Sequence, residues 1–286
     1  MNRTPGSLQF ALLLFASTLA HAGGGPDDRE WIQLVDGKTL DGWTPKIAGY
    51  EAGVNFRDTF RVENGVLKVA YDKYDRFENQ FGHLFYDVPF SRYVIAVEYR
   101  FVGEPTPGAP DWAFRNSGVM IHGQTPSSMP KDQDFPISIE VQLLGGDGSA
   151  ERHTANLCTP GTHVVMDGRL RTEHCITSSS ETYDGDRWVR VEVLVHGGEV
   201  VRHTVEGQTV LEYGEPQIGG GAVSPVDPSV KVDGTPLTGG YISIQAETAP
   251  TDFRKIELVD LEGCTDPKAS NHKRYFVKSN PARCRY

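Results

Sequence analysis

Long apolar runs are missing from this 286-residue chain, and the stretch Phe10-Ala-Leu-Leu-Leu-Phe15 falls far short of the roughly 20 residues that a membrane-spanning helix needs. Basic residues are scarce as well. With 28 lysines and arginines against 38 acids the formal charge is −10, which argues against nucleic acid or an anionic membrane surface as a partner. Amphipathic helical periodicity and internal repeats are absent. So are the Gly-x-Ser-x-Gly elbow of one large esterase class, a phosphate-binding glycine loop, a His-Glu-x-x-His zinc motif and a dinucleotide fingerprint. Each absence removes a chemistry, and together they leave no reason to expect a nucleotide or a bound metal from spacing alone.

What is present begins at the N-terminus. Arg3, the apolar stretch and Ala20-His-Ala22 before three glycines have the order of a secretory signal peptide cut after Ala22, residues 1–22. Its removal takes away Arg3 and no acid, so the formal charge moves to −11 and a soluble, periplasmic or secreted protein is expected. The four cysteines fit that compartment as two local disulfides, Cys158–Cys175 and Cys264–Cys284, each contributing about 3 kcal/mol through loop closure. A zinc site is the rival reading, because His163 follows Cys158 and His174 precedes Cys175.

Short alternating strands dominate the rest. Asn64-Gly65 joins 60–63 to 66–70 as a hairpin, and further strands are expected at 93–101, 117–121, 137–144, 188–195, 200–205, 208–213, 241–246 and 253–261. Many strands joined by glycine and asparagine turns, with no helices between them, predict an all-β antiparallel sandwich. Gly/Pro-rich loops at 103–113, 123–136 and 214–240 exceed what connection requires and are expected to wall a site. The domain is expected over 23–263. The tail 264–286, basic and without alternation, reads as a disulfide-stapled extension.

The segment Pro136-Ile-Ser-Ile-Glu-Val-Gln-Leu-Leu-Gly-Gly146 alternates strictly. Ile137, Ile139, Val141 and Leu143 form one face, and Ser138, Glu140 and Gln142 the other, so a carboxylate stands on a rigid support between two hydrogen-bonding side chains. In 241–247, Tyr241, Ser243, Gln245 and Glu247 oppose Ile242, Ile244 and Ala246 in the same manner. Asn116, Gly118 and His122 are expected to share a face of 115–122, the glycine letting something approach the backbone. Arg254, placed by alternation with Ile256 and Leu258, would need an acid such as Glu140 or Glu247 if it points inward. His203 alternates with Val201 and Val205, a pattern that taken alone is commonest for a core histidine.

These constellations, with Trp31-Ile-Gln-Leu-Val-Asp-Gly-Lys-Thr-Leu-Asp-Gly-Trp43, Phe60-Arg-Val-Glu-Asn-Gly-Val-Leu67, Arg115-Asn-Ser-Gly118, Ile139-Glu-Val-Gln142, the Trp188 strand, His203-Thr-Val-Glu-Gly207, Gly240-Tyr-Ile-Ser-Ile-Gln245 and Phe253-Arg254, occur in the order of a known family. Over about residues 29–262 the chain resembles the 3-keto-disaccharide hydrolases, formerly domain of unknown function 1080. Glu206 stands where an Asn is usual, and the cysteine-bearing insertion and tail mark a subgroup. The resemblance implies a concanavalin A-like jelly roll of two antiparallel sheets, and an enzyme that acts on an oligosaccharide or glycoside already oxidised at C3 of the sugar. A C3 ketone acidifies the C2 proton, so elimination and hydration replace displacement at C1. On this reading Glu140 is the general base or acid and His203 its proton-transfer partner, with Arg115, Asn116, His122, Gln142, Gln245, Glu247 and Arg254 as binding groups. No cofactor is demanded. A divalent metal on His122, Glu140 and Glu247 could polarise the ketone. A non-catalytic carbohydrate-binding module and a conventional glycosidase are the alternatives, although only one acid lies on the 137–144 strand, against the two or more that jelly-roll glycosidases carry there.

Overall fold

The computed structural model describes Met1 and residues 29–286, so the expected signal peptide, Met1 apart, lies outside the described residues. In chain order the strands are β1 (Ile32–Gln33), β2 (Trp43–Ile47), β3 (Phe60–Glu63), β4 (Val66–Val69), β5 (Gly82–Tyr86), β6 (Arg92–Phe101), β7 (Asn116–Gly123), β8 (Ile139–Leu144) and β9 (Asn156–Cys158). There follow β10 (Thr162–Met166), β11 (Arg169–Arg171), β12 (Cys175–Ile176), β13 (Val189–His196), β14 (Val200–Val205), β15 (Gln208–Ile218), β16 (Tyr241–Ala246) and β17 (Thr251–Asp260). They form the expected jelly-roll sandwich. One antiparallel sheet of ten strands runs β11-β10-β15-β14-β13-β6-β17-β4-β3 with β1 on β17, and one of seven runs β12-β9-β8-β7-β16-β5-β2.

The two sheets share one core. β13 shows why: Val189, Val191, Val193 and Val195 are buried while the residues between them are partly exposed, the period-2 signature of a strand with one face on the core and one on water. Its neighbours supply Ile95, Val97 and Tyr99 from β6 and Ile256 and Leu258 from β17 to the same layer. The smaller sheet answers with Val119, Ile121, Ile139, Val141, Leu143, Ile242 and Ile244.

The smaller sheet departs from that pattern in one respect. All eight residues of β7 are buried, as are five of the six in β16, so its outer face is covered as well. Loops do the covering. Lys46 donates to the carbonyl of Lys131 at 2.9 Å, and Gln133 Nε2 donates to the Gln124 side chain and the Phe135 carbonyl at 2.9 and 2.7 Å, which folds residues 124–135 over the sheet. Asp134 then accepts from the amide of Ser224 at 2.7 Å and donates its own amide to the Ser224 carbonyl at 3.1 Å, tying this loop to the 219–224 segment.

Two β-bulges set side-chain parity. Between the pairs Tyr241–Gly123 and Ser243–Met120, β7 holds one more residue than β16, and His122 takes φ 53° there. Between Phe253–Tyr99 and Lys255–Glu98, β17 holds the extra residue, Arg254. Both disulfides form as paired by spacing, Cys158–Cys175 across register partners of β9 and β12, and Cys264–Cys284 in the tail; this settles the zinc alternative for these cysteines. The tail is held by Phe276 against Gly263, by Arg283 on Asp260 at 2.6 Å, and by a short parallel pairing of Glu262–Gly263 with Lys278–Ser279. Among the described residues no helix is long and apolar enough to cross a membrane.

Candidate active site on the covered sheet

Register brings the polar residues of five strands into one row. Gln142 stands opposite Gly118 and Asn156, His83 opposite Gln245 and Lys46, and Glu140 opposite Met120 and Cys158. Gly118 is small for a reason. A Cβ built there would lie 2.8 Å from Glu140 Oε1 and 3.2 Å from Gln245 Oε1, so the Glu140 carboxyl and the Gln245 amide lean over the bare backbone from either side.

Above this row lies a cavity of about 500 Å³. Its floor is Glu140, Gln142, Asn116 and Glu247, and one wall is the Cys158–Cys175 disulfide with Pro160 and His174. The remaining walls come from the three long loops: Trp112 from 103–113, Asp134 and Phe135 from 123–136, and Ala222, Val223 and Ser224 from 214–240. Those segments are the ones whose length marked them as walls.

Both carboxyls hold their protons unusually tightly. Burial pushes Glu140 up to about 8, with the neighbouring Gln245 amide offsetting part of the rise. Glu247 is raised well above the ordinary range, first by burial and then by the charge of Glu140. The direction follows from burial and mutual charge: two neighbouring buried carboxylates resist ionising together, so they titrate as a pair. Glu247 Oε2, Asn116 Oδ1, both atoms of the Gln245 amide and both ring nitrogens of His83 are buried without a hydrogen-bond partner. Such atoms cost about 1–3 kcal/mol each unless something polar enters the site.

Glu140, Asn116, Gln142, Gln245 and Glu247 are therefore brought together as expected. Four other residues are placed elsewhere. His203 is fully buried between the sheets, its Nδ1 bonded to the Ala155 carbonyl at 2.8 Å and its Nε2 to Tyr213 Oη at 3.0 Å, with burial lowering its pKa to about 4. It faces the core and does not reach the cavity. His122 is turned off the polar face by the β7 bulge and bonds the Gly197 carbonyl of the opposite sheet at 3.0 Å. Arg254 is turned outward by the β17 bulge and pairs with Glu98 on the far side of the molecule rather than with Glu140 or Glu247. Arg115 donates to the carbonyls of Gly146 and Gly185 at 2.7 and 3.1 Å, just before the start of the central strand β7. With His122 away, the set His122, Glu140 and Glu247 is not assembled, and among the described residues no three His, Cys, Asp or Glu side chains are grouped as metal ligands.

Sequence reasoning missed His83 and Lys46, which continue the polar row, and undervalued Glu247 as a partner of Glu140. The alternation of 241–247 already put Glu247 on the right face. His83 left a fainter signal, a lone histidine in Gly82-His-Leu-Phe-Tyr86, where four of five residues are buried and no alternation stands out.

A family model described as a 3-keto-alpha-glucoside-1,2-lyase-like domain matches residues 30–259. No curated protein matches. Among solved structures, a "putative glycosyl hydrolase" from Parabacteroides distasonis ATCC 8503 is 16% identical with a TM-score of 0.48, covering 80% of this chain and 93% of its own. A carbohydrate binding module from Bacillus subtilis is 8% identical with a TM-score of 0.44, covering 76% of this chain and 95% of its own. The exoplasmic/lumenal domain of VIP36, in a form bound to Ca2+ and Man3GlcNAc, is 12% identical with a TM-score of 0.44, over 86% of this chain and 93% of that one.

Proposed function

Because the chain belongs to the 3-keto-alpha-glucoside-1,2-lyase-like family, we propose that it cleaves glycosides oxidised at C3 by elimination across C1–C2 followed by hydration. The observation that carries this reading is the pair of buried carboxyls in one cavity, whose mutual charge favours one ionised and one protonated member. Ionised Glu140 removes the C2 proton, which the neighbouring ketone has acidified. The electron pair forms the C1–C2 double bond as the C1–O bond breaks, and protonated Glu247 gives its proton to the departing oxygen. Hydration runs the exchange backwards: Glu247 takes a proton from the water that attacks C1, and Glu140 returns one to C2. Both groups end as they began. Asn116, Gln142 and Gln245 present amides that orient the ring. Export belongs to the same reading, since two disulfides fit an oxidising compartment.

The same pair supports a second reading, a conventional two-carboxylate glycosidase, because Glu247 supplies the second acid that β8 lacks. One experiment separates them. A panel of α-glucosides is offered before and after oxidation at C3, and turnover of the oxidised members alone is expected; cleavage of unoxidised glycosides at comparable rates would instead establish the glycosidase.

A further inference from the structure

The cavity has two unlike halves. Its floor holds the carboxyls and amides, whereas the walls facing them are mostly apolar, Trp112, Phe135, Pro160, Ala222, Val223 and the disulfide, with Asp134, His174 and Ser224 as their polar members. Trp112 is 55% exposed, although it lies nearly parallel to Phe81, 18° and 6.0 Å between centroids, and Phe135 packs on Phe81 at 4.9 Å. Phe81 thus backs one face of an indole that lines the cavity and is more than half exposed. Neither lysine nor arginine lines the cavity, which already carries Asp134, Glu140 and Glu247. An anionic leaving group would find no counter-charge there. Hydroxyls near the walls would meet only His174, Ser224 and Asp134, whose Oδ1 already accepts from the amides of Phe135 and Ser224, against five carboxyl and amide side chains on the floor side.

We infer that the leaving group this site selects is a neutral, apolar ring stacked on Trp112, rather than a second sugar or a charged aglycone. The inference rests on the proposed cleavage of 3-keto-glycosides and names the half of the substrate that the carboxyls do not touch. Stacking a ring on Trp112 within an apolar wall is worth about a tenfold gain in kcat/KM.

The test uses three C3-oxidised α-glucosides whose leaving groups are methyl, benzyl and a glucosyl unit joined through its C6 hydroxyl. All three depart as unhindered alcohols of similar acidity, protonated by Glu247, so differences report on the wall and not on leaving ability. The benzyl compound is expected to exceed both others by about tenfold in kcat/KM. In Trp112→Ala the benzyl-to-methyl ratio should fall close to one and in Trp112→Phe return in part, each variant melting within a few degrees of the native protein because Trp112 is largely exposed. A preference for the glucosyl compound, equal rates for benzyl and methyl, or a ratio that survives Trp112→Ala overturns the inference while leaving the proposed reaction standing. Failure to turn over any of the three overturns the reaction, and the inference with it.

Discussion

The outer faces of the two sheets carry the same raw material and treat it oppositely. On the ten-stranded sheet Glu98 lies among Arg254, Arg190 and Lys255, Asp252 holds Lys68 and Arg100 at 3.0 and 2.8 Å, and Glu257 holds Arg190 and Gln33 at 2.9 and 2.7 Å. Arg100 and Arg254 each lie over the Trp188 ring, 4.6 and 4.7 Å from its centroid. On the seven-stranded sheet Glu140 and Glu247 face each other's charge with no cation lining their cavity. Burial acts on both faces, but on Glu98 the Arg254 hydrogen bond and the Arg254 and Lys255 charges outweigh it and hold the carboxyl below its ordinary range. Nothing outweighs it at Glu140. Paired charge builds architecture; unpaired buried charge is held ready for chemistry.

The largest effect expected from breaking this contrast is on turnover. Glu140→Gln keeps volume and removes the base, so kcat/KM on a C3-oxidised α-glucoside should fall at least about a hundredfold. Native kcat/KM should rise with pH through an apparent value near 8, and that limb should be absent from whatever activity the variant retains. Undiminished activity would remove Glu140 from the reaction. The same substitution has a stability signature. A carboxyl whose folded pKa is raised contributes stability below the ordinary carboxylate range and loses it as pH climbs through about 8, so at pH near 9 Glu140→Gln should melt above the native protein.

A smaller loss should follow Gly118→Ala. The added methyl would sit 2.8 Å from Glu140 Oε1 and 3.0 Å from its Cγ, so the carboxyl must swing aside. Misplacement on that scale costs up to about a hundredfold in rate. Wild-type kinetics in a folded Gly118→Ala protein would show that the carboxyl's seat over the glycine is unused.

On the opposite face the smallest effect, and a purely structural one, is expected. Glu98→Gln leaves Arg254, Lys255 and Arg190 without their shared acid and should cost about 1–3 kcal/mol in urea unfolding at neutral pH, with kcat/KM unaltered. Its sign with pH is the reverse of Glu140's: a depressed carboxyl contributes above the ordinary range and loses its contribution as pH falls through the lowered value, so the difference should shrink in acid. A Glu98→Gln protein as stable as the native one would reduce this network to surface decoration.

Much of this was legible beforehand. The hairpin expected over 60–63 and 66–70 forms over 60–63 and 66–69, the strands at 200–205 and 241–246 lie where alternation puts them, and β8 carries Glu140 and Gln142 on the predicted face. β5 and β2 were not seen. β5 is buried on both sides and so does not alternate, and β2 contains Pro45, which belongs on the sheet edge it occupies. His122 and Arg254 were misassigned for one shared reason. Alternation counts residues, and a single bulge residue reverses the count without leaving a mark in composition. His203 failed differently: its spacing among valines described a core position, and the structure keeps it there with both nitrogens bonded.

The Cys158–Cys175 bridge joins the edge strand β12, only two residues long, to β9 and forms one wall of the cavity, while the shared core of the sandwich lies elsewhere. Assembly of the sandwich and completion of its working surface thus draw on different chemistry, one on the burial of valines and isoleucines and the other on an oxidation. A chain kept reduced is expected to bury the same hydrophobic layer and to match the finished molecule by far-ultraviolet circular dichroism while its cavity wall is incomplete; a reduced chain without sheet signal would show that the bridges also hold the core. On that expectation a correct fold is not a certificate of a complete site, because one wall of the cavity is a covalent bond that burial alone does not make.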